Sequence, residues 1–115
     1  MDKKKESFKP LVYICSAYAG DVARNTKMAK KYCRFALKQR ALPIAMHLML
    51  PQFMDDNKPD ERGRAMFINS IVLGKCNELW DGEISSGMQD EIDTAKRRKQ
   101  TVRWFNTKCE EVSHD

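Results

Sequence analysis

Residues 11–21 read LVYICSAYAGD, an apolar run that leads into a loop of small and polar residues. The first five of these residues are almost all aliphatic, β-branched or aromatic, which predicts a buried strand. A helical pattern follows over residues 22–40, because Ala29, Tyr32 and Ala36 recur on one face. A buried strand, a short loop and an amphipathic helix together form the opening unit of an α/β fold.

The same alternation continues downstream. Further strands are predicted at residues 42–46, 78–80 and 101–105, and further helices at residues 61–75 and 87–99. Asp60 and Ser86 are the expected N-caps of these two helices, and a polar loop is expected over residues 47–59. The alternation predicts a Rossmann-like or flavodoxin-like three-layer sandwich with a parallel sheet of about four strands, in the order 2-1-3-4.

Length and composition are typical of one intracellular domain. The chain has 115 residues, of which 32% are charged, and it has no apolar run long enough to span a bilayer. We expect a flexible segment at residues 1–10, one domain at 11–106 and a polar tail at 107–115. The charged N-terminus does not resemble a signal peptide, so a cytoplasmic location is expected. The four cysteines are widely separated, which argues against a metal site, and reduced thiols are expected because no secretory signal accompanies them. No cofactor is expected.

Positive charge dominates the chain, with a net charge of +5 and a pI of about 9.1. Two basic clusters stand out, at residues 3–5 and 96–99. A solvated surface is the favoured interpretation of both, and attraction of an anionic small molecule or phosphate is the alternative. A nucleic-acid partner is not favoured, because the strand–helix alternation does not fit the common nucleic-acid-binding folds.

Ligands of such sheets bind beyond the carboxyl ends of the strands, which selects residues 16–21, 46–56 and 81–91. The third segment includes GEISSGMQDE, a loop of small residues that enters a helix N-terminus. The N–H groups of that terminus favour an anion, and Ser85 and Ser86 add hydroxyl donors. Glu91 is a candidate nucleophile toward an anomeric carbon. Alternatively, these residues are an ordinary serine cap and a stabilising acid near a helix start.

The other two segments supply further candidates, each with a structural alternative. Tyr13 is either a site residue or a core aromatic, and Asn25 either reaches the cleft or is a polar residue of the helix. His47 either contacts a ligand or makes a structural hydrogen bond. Asp56 either binds sugar hydroxyls or caps a turn. The loop after the first strand adds four residues: Ser16, Tyr18, Gly20 and Asp21.

Several common enzyme motifs are missing from the sequence. It contains neither a Walker A loop nor G-x-G-x-x-G, so ATP hydrolysis and ordinary dinucleotide binding lack support. Ser16 has no G-x-S-x-G elbow around it, which argues against a serine hydrolase.

Five blocks of sequence nevertheless form a recognisable set. They are VYICSAYAGD at 12–21, N-x-x-x-A-x-x-Y-C-R-x-A at 25–36, PIAMHLMLPQFMDD at 43–56, CNELW at 76–80 and ISSGMQDEI at 84–92. Together they resemble the nucleoside 2-deoxyribosyltransferase-like family of small phage and bacterial proteins, over residues 11–105.

The resemblance implies N-glycosidic bond cleavage or transfer on a 2-deoxyribonucleoside or its 5′-monophosphate. Glu91 in S-x-G-M-x-x-E matches the family nucleophile, which attacks C1′ and releases the base. Ser85 matches a phosphate-binding serine, with Gly87 and Met88 beside it in the motif, and Tyr13 matches the tyrosine that orients the glutamate. The family also implies a homo-oligomer, which the helix residues Met66, Phe67 and Ile71 would support.

The chain also departs from the family pattern. Ala17 and Met46 replace prolines that are common in relatives, and Asn77 replaces an aspartate. Asn69 aligns with an acid that contacts the base in true transferases. These departures leave the base and turnover open, so the alternative is a protein that binds a nucleotide or nucleotide signal in the same cleft without cleaving it.

Overall fold

The computed structural model describes residues 9–17, 20–82 and 89–113. The strands and helices follow in the order β1 (Leu11–Cys15), α1 (Val22–Lys38), β2 (Leu42–Ile44), α2 (Met46–Met49), α3 (Pro59–Lys75), β3 (Glu78–Asp81), α4 (Gln89–Arg97), β4 (Thr101–Phe105) and β5 (Glu111–Val112). The sheet order is β2-β1-β3-β4-β5, with parallel pairing up to β4 and an antiparallel β5. The predicted Rossmann-like fold and strand order 2-1-3-4 are confirmed.

The sheet separates two apolar clusters, because successive side chains of a strand point to opposite faces. Val12 and Ile14 of β1 pack with Tyr32 of α1 on one face. Tyr13 and Cys15 point to the opposite face of the sheet. There they belong to the second cluster, which also contains Leu73 of α3 and Ile92 of α4. Helix α1 therefore covers one face, and α3 and α4 cover the other.

The segment after β2 differs from its prediction, in which the strand continued to residue 46 and a polar loop followed. Residues Met46–Met49 form the short helix α2, and a 3₁₀ turn follows at Leu50–Gln52. Met46 and Leu50 are buried in the cluster under α3 and α4. Their burial holds the segment against the sheet, and His47 consequently lies on a helix that is packed on the core.

The ends of the other elements also differ from prediction. Helix α3 begins at Pro59, so Asp60 lies in its first turn and Lys58 is the N-cap residue. Proline suits a first helical position, because its missing N–H would have no partner there. Strand β5 was not predicted, because it lies in the segment expected to be a polar tail. An ion pair of 2.7 Å between Arg103 of β4 and Glu111 of β5 links the two strands. The predicted cap Ser86 lies outside the described residues.

Two further findings bear on the composition. No helix in the described part of the chain is long and apolar enough to cross a membrane. All four cysteines are free thiols, and Cys15 and Cys76 are buried.

Candidate functional site

The candidate site lies at the carboxyl ends of β1 and β3. Cys15 and Asp81 end these strands and are directly paired across the sheet. Tyr13 precedes Cys15 by two residues, so both side chains point toward α3 and α4. Asp81 is 1% exposed. A tyrosine, a thiol and a carboxyl group are thus gathered beneath the first turn of α4.

Glu91 completes this arrangement from α4. The helix begins after β3 and places Glu91 in its first turn, where the positive end of the helix dipole favours an acid. The Cys15 thiol donates a hydrogen bond to Glu91 Oε2 at 3.1 Å. Burial, followed by the charge of Glu91, raises the pKa of the Cys15 thiol well above its usual range. The thiol is therefore protonated at neutral pH and acts as a donor.

The Glu91 carboxyl is subject to opposing influences. Burial raises its pKa, while the Cys15 hydrogen bond and the nearby His47 and Tyr13 side chains lower it. Burial is the largest influence, so the pKa of Glu91 lies above its ordinary value. A partly desolvated carboxyl whose orientation is fixed by a hydrogen bond suits either a nucleophile or a hydrogen-bonding group for a ligand.

Of the two roles considered for Tyr13, the structure shows that of a core aromatic. Its ring is 1% exposed within the core cluster, yet its hydroxyl lies near Glu91. Burial and the Glu91 charge raise the pKa of Tyr13, so its phenol is neutral. Among the residues that the structure describes, the hydroxyl finds no hydrogen-bond partner of standard geometry. The Tyr13 hydroxyl nevertheless lies close enough to Glu91 to lower the pKa of that carboxyl.

Of the two roles considered for His47, the structure shows the structural hydrogen bond. Its Nδ1 lies 2.9 Å from the backbone carbonyl of Ser16. Because a carbonyl oxygen only accepts, Nδ1 carries the proton in this hydrogen bond. The bond ties α2 to the end of β1, and the imidazole lies close enough to Glu91 to lower the pKa of that carboxyl. Ser16 itself is buried.

The described residues at the start of α1, Gly20, Asp21 and Asn25, have local structural roles. Gly20 has a φ of 95°, a conformation that favours glycine. Asp21 is the N-cap of α1 and accepts a hydrogen bond from the Arg24 N–H at 3.1 Å. Asn25 is buried in the first turn, and its Oδ1 accepts from Arg24 Nη1 at 3.4 Å. Asp21 and Gly20 therefore shape the loop, and Asn25 is a buried polar group beside it.

The structure does not bring every predicted residue into this cluster. Asp56 lies in an exposed turn, where its carboxylate pairs with Arg62 of α3 at 3.2 Å. Its observed contact is thus a local ion pair. Five predicted residues lie outside the described part of the chain: Tyr18, Ser85, Ser86, Gly87 and Met88.

Cys15 and Asp81 were missed as site residues by the sequence analysis. The available signal was their position, because each ends a strand at the edge where ligands of parallel sheets bind. Asn69, noted only as a departure from the family pattern, is buried in α3 one turn before the core residue Leu73. Its Oδ1 has no hydrogen-bond partner within the described residues.

Fold and site together define a Rossmann-like α/β domain in which a thiol hydrogen-bonds a carboxyl at the carboxyl edge of the parallel strands. Residues 10–105 match the profile of a family described as a domain of unknown function, DUF7768. The match spans most of the chain, which therefore belongs to this family. No curated protein matches the sequence.

Proposed function

We propose that the protein cleaves or transfers the N-glycosidic bond of a 2-deoxyribonucleoside or its 5′-monophosphate, with Glu91 as the nucleophile. The observation that carries this proposal is the Glu91 carboxyl, half-buried and fixed by the Cys15 thiol at 3.1 Å, with the Tyr13 hydroxyl beside it. The sequence resemblance to the nucleoside 2-deoxyribosyltransferase-like family supports the same assignment.

The proposed reaction has two displacement steps. A carboxylate oxygen of Glu91 attacks C1′, and the base leaves with the electron pair of the C1′–N bond. Water or a second base then attacks C1′, which breaks the bond to Glu91 and restores the carboxylate, and the proton lost by the attacking group balances the one taken up by the released base. Fixing the carboxyl orientation before the attack lowers the entropic cost of the first step. Tyr13 and Cys15 both approach Glu91 from the core cluster under α4.

Chromatography of purified protein with deoxynucleosides and their 5′-monophosphates tests this function. Wild-type protein should release free base, and Glu91→Gln should abolish the release without changing the fold. Asp93→Asn is the matched control, because it alters an exposed acid of the same helix. Absence of base release from wild-type protein across the whole panel would contradict the proposal.

Ligand binding without cleavage is the second candidate, and the raised pKa of Glu91 favours it. A carboxyl that keeps its proton is a poor nucleophile and a good hydrogen-bond donor. In this case a nucleotide would bind unchanged, and Glu91→Gln would retain affinity because an amide preserves a donor. Thermal-shift titration with nucleotides, followed by chromatography of the bound ligand, separates the two functions.

We also propose that the protein is cytoplasmic and forms a homo-oligomer. Four free thiols are typical of a reducing compartment.

The homo-oligomer is supported by an exposed apolar surface on α3, which a second subunit would cover. Its residues Met66, Phe67 and Ile71 are 50%, 67% and 50% exposed. Light scattering coupled to gel filtration should give more than one subunit, and Phe67→Lys should shift the protein toward the monomer.

A further inference from the structure

Helix α1 carries an unusual concentration of one charge. All six of its charged residues are basic, and it has no acidic residue between Val22 and Lys38. These residues are Arg24, Lys27, Lys30, Lys31, Arg34 and Lys38, and all are exposed. By contrast, α3 and α4 carry both signs, with two acids in the first turn of each.

The six side chains share one face of the helix. With about 100° of rotation per residue, they occupy an arc of about 120°. The buried residues Asn25, Ala29, Tyr32 and Ala36 lie on the opposite side. From Arg24 to Lys38 the basic face extends about 21 Å along the helix axis. The arc thus forms a continuous positive stripe that points directly away from the sheet.

Within the described residues, the middle of this stripe lacks neutralising partners. In the described part of the chain, no carboxylate forms an ion pair with Lys27, Lys30 or Arg34. Lys31 donates to the Thr107 carbonyl at 2.6 Å, which brings the turn containing the exposed Lys108 beside the stripe. Like charges at these helical spacings repel one another, so an external polyanion would stabilise the arrangement.

We propose that the outer face of α1 binds the sugar–phosphate backbone of nucleic acid. Regularly spaced cations over about 21 Å match a chain of phosphates better than a single small anion. A membrane surface fits less well, because helices that lie in a bilayer also insert large apolar side chains. The arc contains none, since the exposed Val22 and Leu37 lie outside it. The proposal does not depend on the function assigned to Glu91.

Positive charge forms two runs in the sequence, at residues 3–5 and 96–99, and neither of them is this surface. The basic residues of α1 are interrupted by core residues, so they do not form a run in the sequence. Their convergence follows only from the helical rotation and from the position of the buried face. Contacts with phosphates alone would give binding with little sequence preference.

The proposal is tested by measuring the binding of three labelled probes at about 50 mM salt. The probes are a fluorescein-labelled DNA duplex of about 20 base pairs, its single strand and an RNA of equal length. The variant Lys27→Gln/Lys30→Gln/Arg34→Gln should lose at least about tenfold in affinity. Its slope of log affinity against log salt should be shallower by about 2 to 3. Glutamine preserves helix propensity, so α1 should remain folded, which circular dichroism would verify.

The matched control is Arg64→Gln/Lys75→Gln/Lys99→Gln, which removes the same charge from exposed positions outside α1. It should stay within about threefold of wild type, and Glu91→Gln should bind as wild type does. The proposal is overturned by absence of binding at low salt or by an equal loss in both triple variants. Equal or tighter binding of phosphatidylserine vesicles or polyglutamate would also overturn it, since another anionic partner would then fit better.

Discussion

The Glu91 carboxyl is held where burial opposes its ionisation, and this has a consequence for stability. Because burial raises its pKa in the folded state, stability declines as pH rises from the unfolded pKa to the folded one. Glu91→Gln removes this titration. We therefore expect the variant to be more stable than wild type at neutral pH, with a difference that disappears below the ordinary carboxyl pKa.

Urea unfolding of both proteins across this pH range measures the effect. Asp93→Asn serves as the reference, because it removes an exposed carboxyl from the same helix. If the unfolding free energies of wild type and Glu91→Gln change with pH in the same way, burial does not raise the pKa of Glu91 in the folded protein.

Cys15 is a positioning residue under the proposed function, and its effect appears in a pH profile. Its hydrogen bond lowers the pKa of Glu91, so Cys15→Ala should raise that pKa further. Activity requires the ionised carboxylate, so the acidic limb of kcat/KM should move to higher pH. Loss of the bond should also reduce kcat about fivefold, corresponding to about 1 kcal/mol.

Cys15→Ser is the conservative variant in this experiment, since a hydroxyl retains the donor. It should restore the acidic limb toward the wild-type position. An identical displacement in the serine and alanine variants would show that packing, and not the hydrogen bond, accounts for the effect of Cys15.

The sequence could identify Glu91 and Tyr13 as candidates but could not establish the hydrogen bond that Cys15 donates to Glu91. Glu91 was recognisable because an acid follows a small-residue loop at a helix start. The 3.1 Å contact depends on how α4 packs over β1, across 76 positions of the chain. Asp56 illustrates the converse, because nothing local distinguishes a ligand-binding acid from one that pairs with Arg62.

At the scale of elements, Gly82 joins β3, β1 and α1. Its N–H donates to the Cys15 carbonyl at 2.8 Å, and its own carbonyl accepts from the Tyr32 hydroxyl at 2.8 Å. A Cβ at this position would overlap carbon atoms of the Tyr32 ring. Gly82→Ala should therefore destabilise the protein by about 1–3 kcal/mol through overpacking.

Gly63→Ala provides a matched control for this substitution in urea unfolding. A Cβ at Gly63 meets nothing within 4 Å, and the residue lies in the exposed part of α3. Alanine should stabilise that helix by about 0.5–1 kcal/mol. In a Tyr32→Leu background the cost of Gly82→Ala should fall, and an unchanged cost would contradict the proposed overlap.

The elements that could be predicted are those with a strong periodic signal. β1 and α1 show respectively an apolar run and a helical face, and their order dictates a parallel sheet. Helix α2 escaped prediction because four residues carry too little periodicity, and its position depends on burial of Met46 and Leu50 against distant residues. β5 has only two residues and is defined by its pairing with β4.

For the molecule as a whole, the effect of salt on the unfolding free energy depends on the source of charge repulsion. Repulsion among the clustered basic residues of α1 and repulsion from the net charge lead to different predictions. In α1, six pairs of basic residues are separated by three or four positions, and each costs about 0.2–0.5 kcal/mol when unscreened. The Debye length falls from about 30 Å to about 10 Å between 0.01 and 0.1 M salt. Sodium chloride in this range should therefore raise the unfolding free energy of the wild-type protein.

The two triple variants distinguish the possible origins of this rise. Both lower the net charge of +5 by the same amount, so repulsion governed by net charge alone would weaken the salt response equally in the two. We expect Lys27→Gln/Lys30→Gln/Arg34→Gln to remove most of the response, and Arg64→Gln/Lys75→Gln/Lys99→Gln to retain it. Urea unfolding at several salt concentrations measures both, and an equal reduction would show that the α1 arrangement has no special cost. If only Arg64→Gln/Lys75→Gln/Lys99→Gln retains the salt response, the repulsion arises on α1. The fold would then tolerate a locally repulsive surface on that helix.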